Sequence, residues 1–285
     1  MNKFKGWEEQ LEYYDELFLA KEDDFEQIYS DKELLFEFME ATKNKKVFIM
    51  CMELLPIPFI LEKIKDPKTS QEMIFKLTLH PNSFIQSAIL SREDVTPAIL
   101  KQLIDNFKYK EDVANRWVII QHKKMNEKTL YELTDYDNYD ILSEVLLSDK
   151  TSQRIIEKLE HSTNLEIQTI AKLRNPKTDI KYIEEVIKDE IKKANIVVGD
   201  CINGEKTKEE SLGINDKLEA AIRNPKLPTR LVEMYKNFTK LVVLNLVIPH
   251  QHISKELLDY YYENGDEDIK NAVLERIKNS EKQSR

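Results

Sequence analysis

Four cations stand at one recurring position in this 285-residue chain. Lys65, Arg92, Arg174 and Arg223 each lie five residues before a turn-type residue, namely Ser70, Pro97, Asp179 and Pro228. Cations repeated in one register would share one side of a repeat structure. An Arg fork can grip phosphate or carboxylate through two parallel N–H···O bonds. The stripe therefore reads either as a ridge for an anionic partner, with Arg116 and Lys123 nearby, or as plugs for exposed carbonyls at helix C-termini. Gln121 and Leu147 interrupt it. A second candidate is GDCINGEKT, Gly199 to Thr207, which approaches the phosphate-cradling pattern G-x-x-x-x-G-K-[ST]. Here Glu205 separates Gly204 from Lys206, so a carboxylate would face the anion. Its flanks read as helical, so an exposed polar loop carrying Cys201 and Lys206 is the expectation. His250 and His252 could seed a metal site, but no third ligand is placed by spacing, and a turn is expected there. Trp7 belongs to an acidic, aromatic head that could dock a basic partner. Trp117 is expected in the core. Nucleophile elbows, zinc-ligand spacings and dinucleotide fingerprints are absent from the sequence, so no catalytic, cofactor-binding or metal-binding residue is assigned.

The elements that would carry these residues follow a comb of eight turn residues: Asn44, Ser70, Pro97, Asn126, Ser152, Asp179, Pro228 and Ser254. Most intervals are 26 to 29 residues, and one, from Asp179 to Pro228, is 49. Apolar residues stand three, four and seven positions after most of these anchors, as in Val47, Phe48 and Cys51, or Ile155, Ile156 and Leu159. Those offsets share one face of a helix. A break follows near Pro56, Pro81, Asp137, Thr163 and Gly265. Beyond it lies a second apolar cluster, as in Ile85 and Ile89, Ile141 and Val145, Ile167 and Ile170, or Ile269 and Val273. Each period thus reads as helix, turn, shorter helix, turn, with the prolines between helices where their missing N–H does no harm. Neither helix can hide its stripe alone, so stacked neighbours must bury a common core. The long interval places an insertion at about residues 193–215, a feature that often emerges on a binding face.

The junctions RNPKTD (Arg174 to Asp179), RNPKLP (Arg223 to Pro228), KDPKTS (Lys65 to Ser70) and REDVTP (Arg92 to Pro97) resemble those of variant leucine-rich repeats. That family is similar to HEAT-like α-solenoids. The resemblance implies an all-α, right-handed α-solenoid of about eight two-helix repeats with a period near 27. It covers roughly residues 43–277 and implies an architecture rather than an activity. Some variant leucine-rich repeat proteins are linked to an iron–sulfur cluster, for which two cysteines are too few.

Residues 1–40 hold 4 Lys and 13 Asp or Glu, a balance of 4 − 13 = −9, and the remainder is neutral with 39 of each sign. A helix is expected from about residue 7 to 20 and another from Asp31 to Ala41 with Asp31 as its cap. Together they suggest an acidic helical cap over residues 1–42 and a solenoid over 43–285. No apolar run approaches a membrane span, the N-terminus lacks a signal-peptide pattern, and cysteine usage points to a reducing cytoplasm. The reading that follows is a non-enzymatic adaptor, scaffold or inhibitor that recognises another protein along a curved surface. One alternative is a nucleic-acid-binding protein related in repeat style to HEAT-like alkylpurine DNA glycosylases. Another is a structural subunit of a larger assembly.

Overall fold

A computed structural model describes residues 15, 31–107, 113–193, 196–198, 210–212 and 214–283. The chain divides between Met125 and Asn126 into two compact units. The described part of the first holds seven helices: α1 Lys32–Ala41, α2 Lys45–Leu54, α3 Ile57–Lys65, α4 Gln71–Leu77, α5 Ser83–Leu90, α6 Pro97–Phe107 and α7 Val113–Ile120. The second opens with α8 Glu127–Leu133, α9 Tyr139–Leu147, α10 Gln153–Leu159, α11 Leu165–Arg174 and α12 Ile180–Lys193. It continues through strands β1 Ile196–Val198 and β2 Glu210–Leu212 to α13 Asp216–Ile222, α14 Thr229–Val232, α15 Lys240–Val242, α16 Lys255–Asn264 and α17 Glu267–Gln283.

Caps explain why helices start where they do. Asp31 accepts N–H groups of Glu33 (2.9 Å) and Leu34 (3.3 Å), which makes it the cap expected for α1. Ser70, Asn126 and Ser254 accept from Met73, Thr129 and Leu257. In four pairs the second helix has its own side-chain cap, twelve residues further on: Asn82, Asn138, Asn164 and Asp266. Sequence patterning put these breaks one residue early, because a hydrophobic cluster locates a helix face while only an oxygen at the right place locates its first N–H. The prolines also need a correction: Pro58 and Pro97 lie inside helices, both in the first turn, where no N–H partner is lost.

Packing is sequential. In the first unit α1 packs on α2, α3 on α5, α4 on α6 and α6 on α7. In the second, α9 packs on α11 and α11 on α13, so second helices of successive pairs form a row. There α9 also reaches α13, two pairs on, which makes that row closely spaced. The core is the aliphatic spine the comb implied. Val47, Cys51, Ile74, Leu77, Leu130, Leu133, Ile155, Tyr235 and Tyr261 from first helices are buried, as are Ile85, Ile89, Ile141, Val145, Ile167, Ile170 and Ile269 from second ones.

Two stretches depart from the regular pattern. The insertion is more than a loop: β1 and β2 pair antiparallel, with Ile196 opposite Leu212 and Val198 opposite Glu210. Around it the interval between caps is 36 residues, Asp179 to Asn215, against 12 elsewhere, leaving 36 − 12 = 24 extra. Part of the excess lengthens α12 to 14 residues, where α10 has 7. The pair that follows Pro228 is also irregular. Its first helix tightens into a 3₁₀ turn at Glu233–Tyr235, and its second widens into a π-helix at Val243–Val247.

Candidate binding surface

Two of the four ladder cations, Arg92 and Arg174, meet backbone rather than an open face. Arg92 donates through Nη1 to the carbonyls of Ile64 and Asp66 (3.1 Å to the latter), and grips Asp94 through Nε (2.8 Å) and Nη2 (2.7 Å). In the second unit Arg174 repeats the two carbonyl bonds, with Nη1 to Leu146 O (2.7 Å) and Nη2 to Ser148 O (3.1 Å). In both cases the carbonyls lie 28 and 26 residues back, at the C-terminus of the preceding second helix. Those carbonyls have no partner inside their own helix. Burial lowers the pKa of Arg174 to about 10, with nearby Arg223 adding to the effect, which leaves it charged at neutral pH. Lys65 is exposed, and Arg223 pairs with Glu219 (2.8 Å) and Asp149. The tie at that last joint passes to Asn224, fully buried, whose amide donates to Leu173 O (2.8 Å) and Asn175 O (3.0 Å). Arg116 belongs to α7, with its side chain outside the described set. Trp7, Cys201 and Lys206 also lie outside the described residues, as does the helix expected over 7–20 apart from Asp15.

The position next to the ladder, which no fixed residue type marks in the sequence, carries the more regular chemistry. Four residues before six of the anchors stand Asp66, His122, Ser148, Asn175, Asn224 and His250. Each accepts the N–H two residues on, from Lys68, Lys124, Lys150, Lys177, Lys226 and His252. Each also takes a backbone bond from the residue three on, at 2.8 to 3.2 Å. One turn is thus built with four residue types, all of them side-chain acceptors. His250 and His252 therefore sit in a joint. Among the described residues no group of three His, Cys, Asp or Glu could hold a metal ion. Cys51 is buried, and desolvation pushes its thiol up to about 12, with Asp15 contributing, so it is a core residue without thiolate character.

Apolar side chains that the core does not use are the feature left over. Ile57 is 37% exposed, Phe84 71%, Leu165 75% and Leu241 69%. All four stand thirteen or fourteen residues after an anchor, in the first turn of a second helix. Leu165 directly follows its cap Asn164, and that adjacency is a signal the sequence already carried. Trp117, expected in the core, is 53% exposed on α7. In the first unit Ile57 also edges a groove of about 510 Å³ that includes Ile49, Met52, Leu79 and Pro81.

The inserted ribbon is anchored at its root. Glu190, buried on α12, accepts from the Asn215 amide at 2.8 Å and lies 3.4 Å from Lys193 and 3.7 Å from Lys217. Lys193 ends α12 and Asn215 caps α13, so one carboxylate holds both ends of the excursion. Beside it Tyr139 donates to Asp216 (2.9 Å), and burial together with that carboxylate raises the phenol's pKa.

No family model matches this chain, nor does any curated protein or solved structure. Among the described residues no helix is long and apolar enough to cross a membrane.

Proposed function

We propose that the protein is a non-enzymatic adaptor or inhibitor that binds another protein through the exposed starts of its second helices. The observation that carries this reading is the recurrence of Ile57, Phe84, Leu165 and Leu241 in the first turns of second helices, with the last three more than two-thirds exposed. Apolar side chains scattered singly are ordinary, but a repeated register with a groove beside it is what a recognition surface needs. A right-handed α-solenoid of variant leucine-rich repeat or HEAT-like type accounts best for the shared joints and spine. The nucleic-acid reading is weaker on this geometry, because Arg92 and Arg174 are committed to carbonyls and cannot serve phosphates without opening a joint.

Affinity capture from the native host, with and without nuclease, tests the reading. Wild-type protein is expected to retain a protein partner after nuclease treatment, and the Phe84→Ser, Leu165→Ser double variant to lose it with its unfolding midpoint unchanged. Equal capture by both would refute it, and capture abolished by nuclease would favour the nucleic-acid alternative.

A further inference from the structure

The groove in the first unit lies between the helix pair α2 and α3 and the turn that follows α4. Helix α4 packs along α6, but α2 approaches α4 less closely, and the 510 Å³ groove follows the α2 side. Its floor is apolar, from Ile49, Met52 and Leu79, with Ile57 and Pro81 at the rim. Lys45 and Glu53 mark its two ends on α2, eight residues or about 12 Å apart along the helix axis. Both are exposed, and among the described residues neither has an ion-pair partner. Lys43 and Lys46 flank Lys45, likewise exposed and without an ion pair in that set. His80, buried in the same lining, accepts the Asn82 N–H at Nδ1 (3.0 Å) and so brings no charge.

We propose that this groove receives an amphipathic helical segment of a protein partner, with an acidic side chain over Lys45 and a cation over Glu53. The proposal rests on the partner-binding reading above and assigns the chemistry of the partner. A lining that runs about two helical turns from Lys45 to Glu53, with Ile49 and Met52 between them, matches a ridge at i, i+3 or i+4, and i+7. A phosphate-rich ligand would meet Glu53 and find no polar floor. A wholly apolar segment would leave both charges uncompensated. Only an occupant with a charge of each sign at its ends satisfies the lining.

Fluorescence anisotropy tests this with the full chain and a labelled amphipathic helical peptide about fourteen residues long, bearing leucines on one ridge, glutamates at one end and lysines at the other. The peptide is expected to bind. Lys45→Glu, a change on an exposed residue that spares the fold, should weaken binding by about threefold at low salt. Ile57→Asp should weaken it by about tenfold or more. The double exchange Lys45→Glu, Glu53→Lys should restore affinity to within about twofold, because the peptide can dock in the reverse direction. Lys181→Glu, an exposed position on α12 of the other unit and outside the candidate surface, should leave it unchanged. The proposal is overturned if a peptide with serines at its charged positions binds as well, or if Lys45→Glu has no effect. Dimerisation of the protein alone that Ile57→Asp abolishes would give the groove to a second copy and overturn it too. A native partner still captured by the Lys45→Glu and Ile57→Asp variants would reject this groove while leaving partner binding intact.

Discussion

Asn224 holds two carbonyls of the preceding joint with one amide and is wholly buried. Asn224→Ala would strand both, at a cost of about 2–3 kcal/mol in urea unfolding. Lys65→Ala, at an exposed ladder position, should change stability by less than about 0.5 kcal/mol. Equal effects would mean that the ladder and the ties are not distinct. Two buried histidines, His80 after α4 and His250 in a joint, make their turns sensitive to acid. His80 and His250 accept backbone N–H groups at Nδ1, from Asn82 (3.0 Å) and His252 (3.1 Å), so a proton there would displace a bond. Burial lowers both below the ordinary 6.5. His252 and Arg276 depress His250 further, against an opposing contribution from Asn224 O. With folded values below unfolded ones, the unfolded chain binds more protons. The stability they confer is complete above about pH 6.5 and declines as pH falls through that value. Urea midpoints measured from pH 8 to pH 5 should show the decline. His250→Asn should flatten part of it, since Asn already serves this turn at Asn175 and Asn224. A midpoint independent of pH would contradict the tautomer assignment.

Between α16 and α17 the chain turns at Gly265, where an added Cβ would come 2.3 Å from Ile269 Cγ2 and 2.5 Å from Tyr261 O. Its φ of −79° is open to any residue, so the glycine is there for space. Gly265→Ala should therefore lower the thermal midpoint, at roughly 1–3 kcal/mol; an unchanged midpoint would show that the two helices can spread at no cost. Most helix faces are legible in the sequence, because burial of Ile85 with Ile89, or Ile167 with Ile170, imposes a period on the letters, whereas Trp117 on α7 is exposed against expectation. The joints were legible only in part. Asp, Ser, Asn and His perform one hydrogen-bonding task at their equivalent positions, so identity gives way to chemistry and no fixed letter marks the spot. The ribbon is not legible in the sequence because three paired residues a side are too short to show an alternation. Its root at Glu190 predicts that replacing residues 196–212 by a short Gly-Ser linker leaves α12 and α13 in place, with an unfolding midpoint close to wild type. Loss of cooperative unfolding would make the ribbon part of the core.

For the molecule as a whole, the division between Met125 and Asn126 implies that a fragment from Asn126 onward carries a complete set of caps, ties and core residues. It should show helical circular dichroism and one cooperative transition; a fragment that is unstructured in the dichroism spectrum would mean that the second unit needs the first. The candidate surface was the least legible part, since exposure of Phe84 or Leu241 depends on what neighbouring helices leave uncovered. The uniform joint has one more implication. Ser148 and Asn175 present the same acceptor and the same carbonyl to whatever follows, 27 positions apart. Excising residues 152–178 would join Thr151 to Asp179 with the local bonding intact, and Asn224 would find Leu146 and Ser148 where Leu173 and Asn175 had been. Genes for such chains can gain or lose whole modules by unequal recombination without a frame of repair mutations, so length itself becomes a heritable, tunable trait.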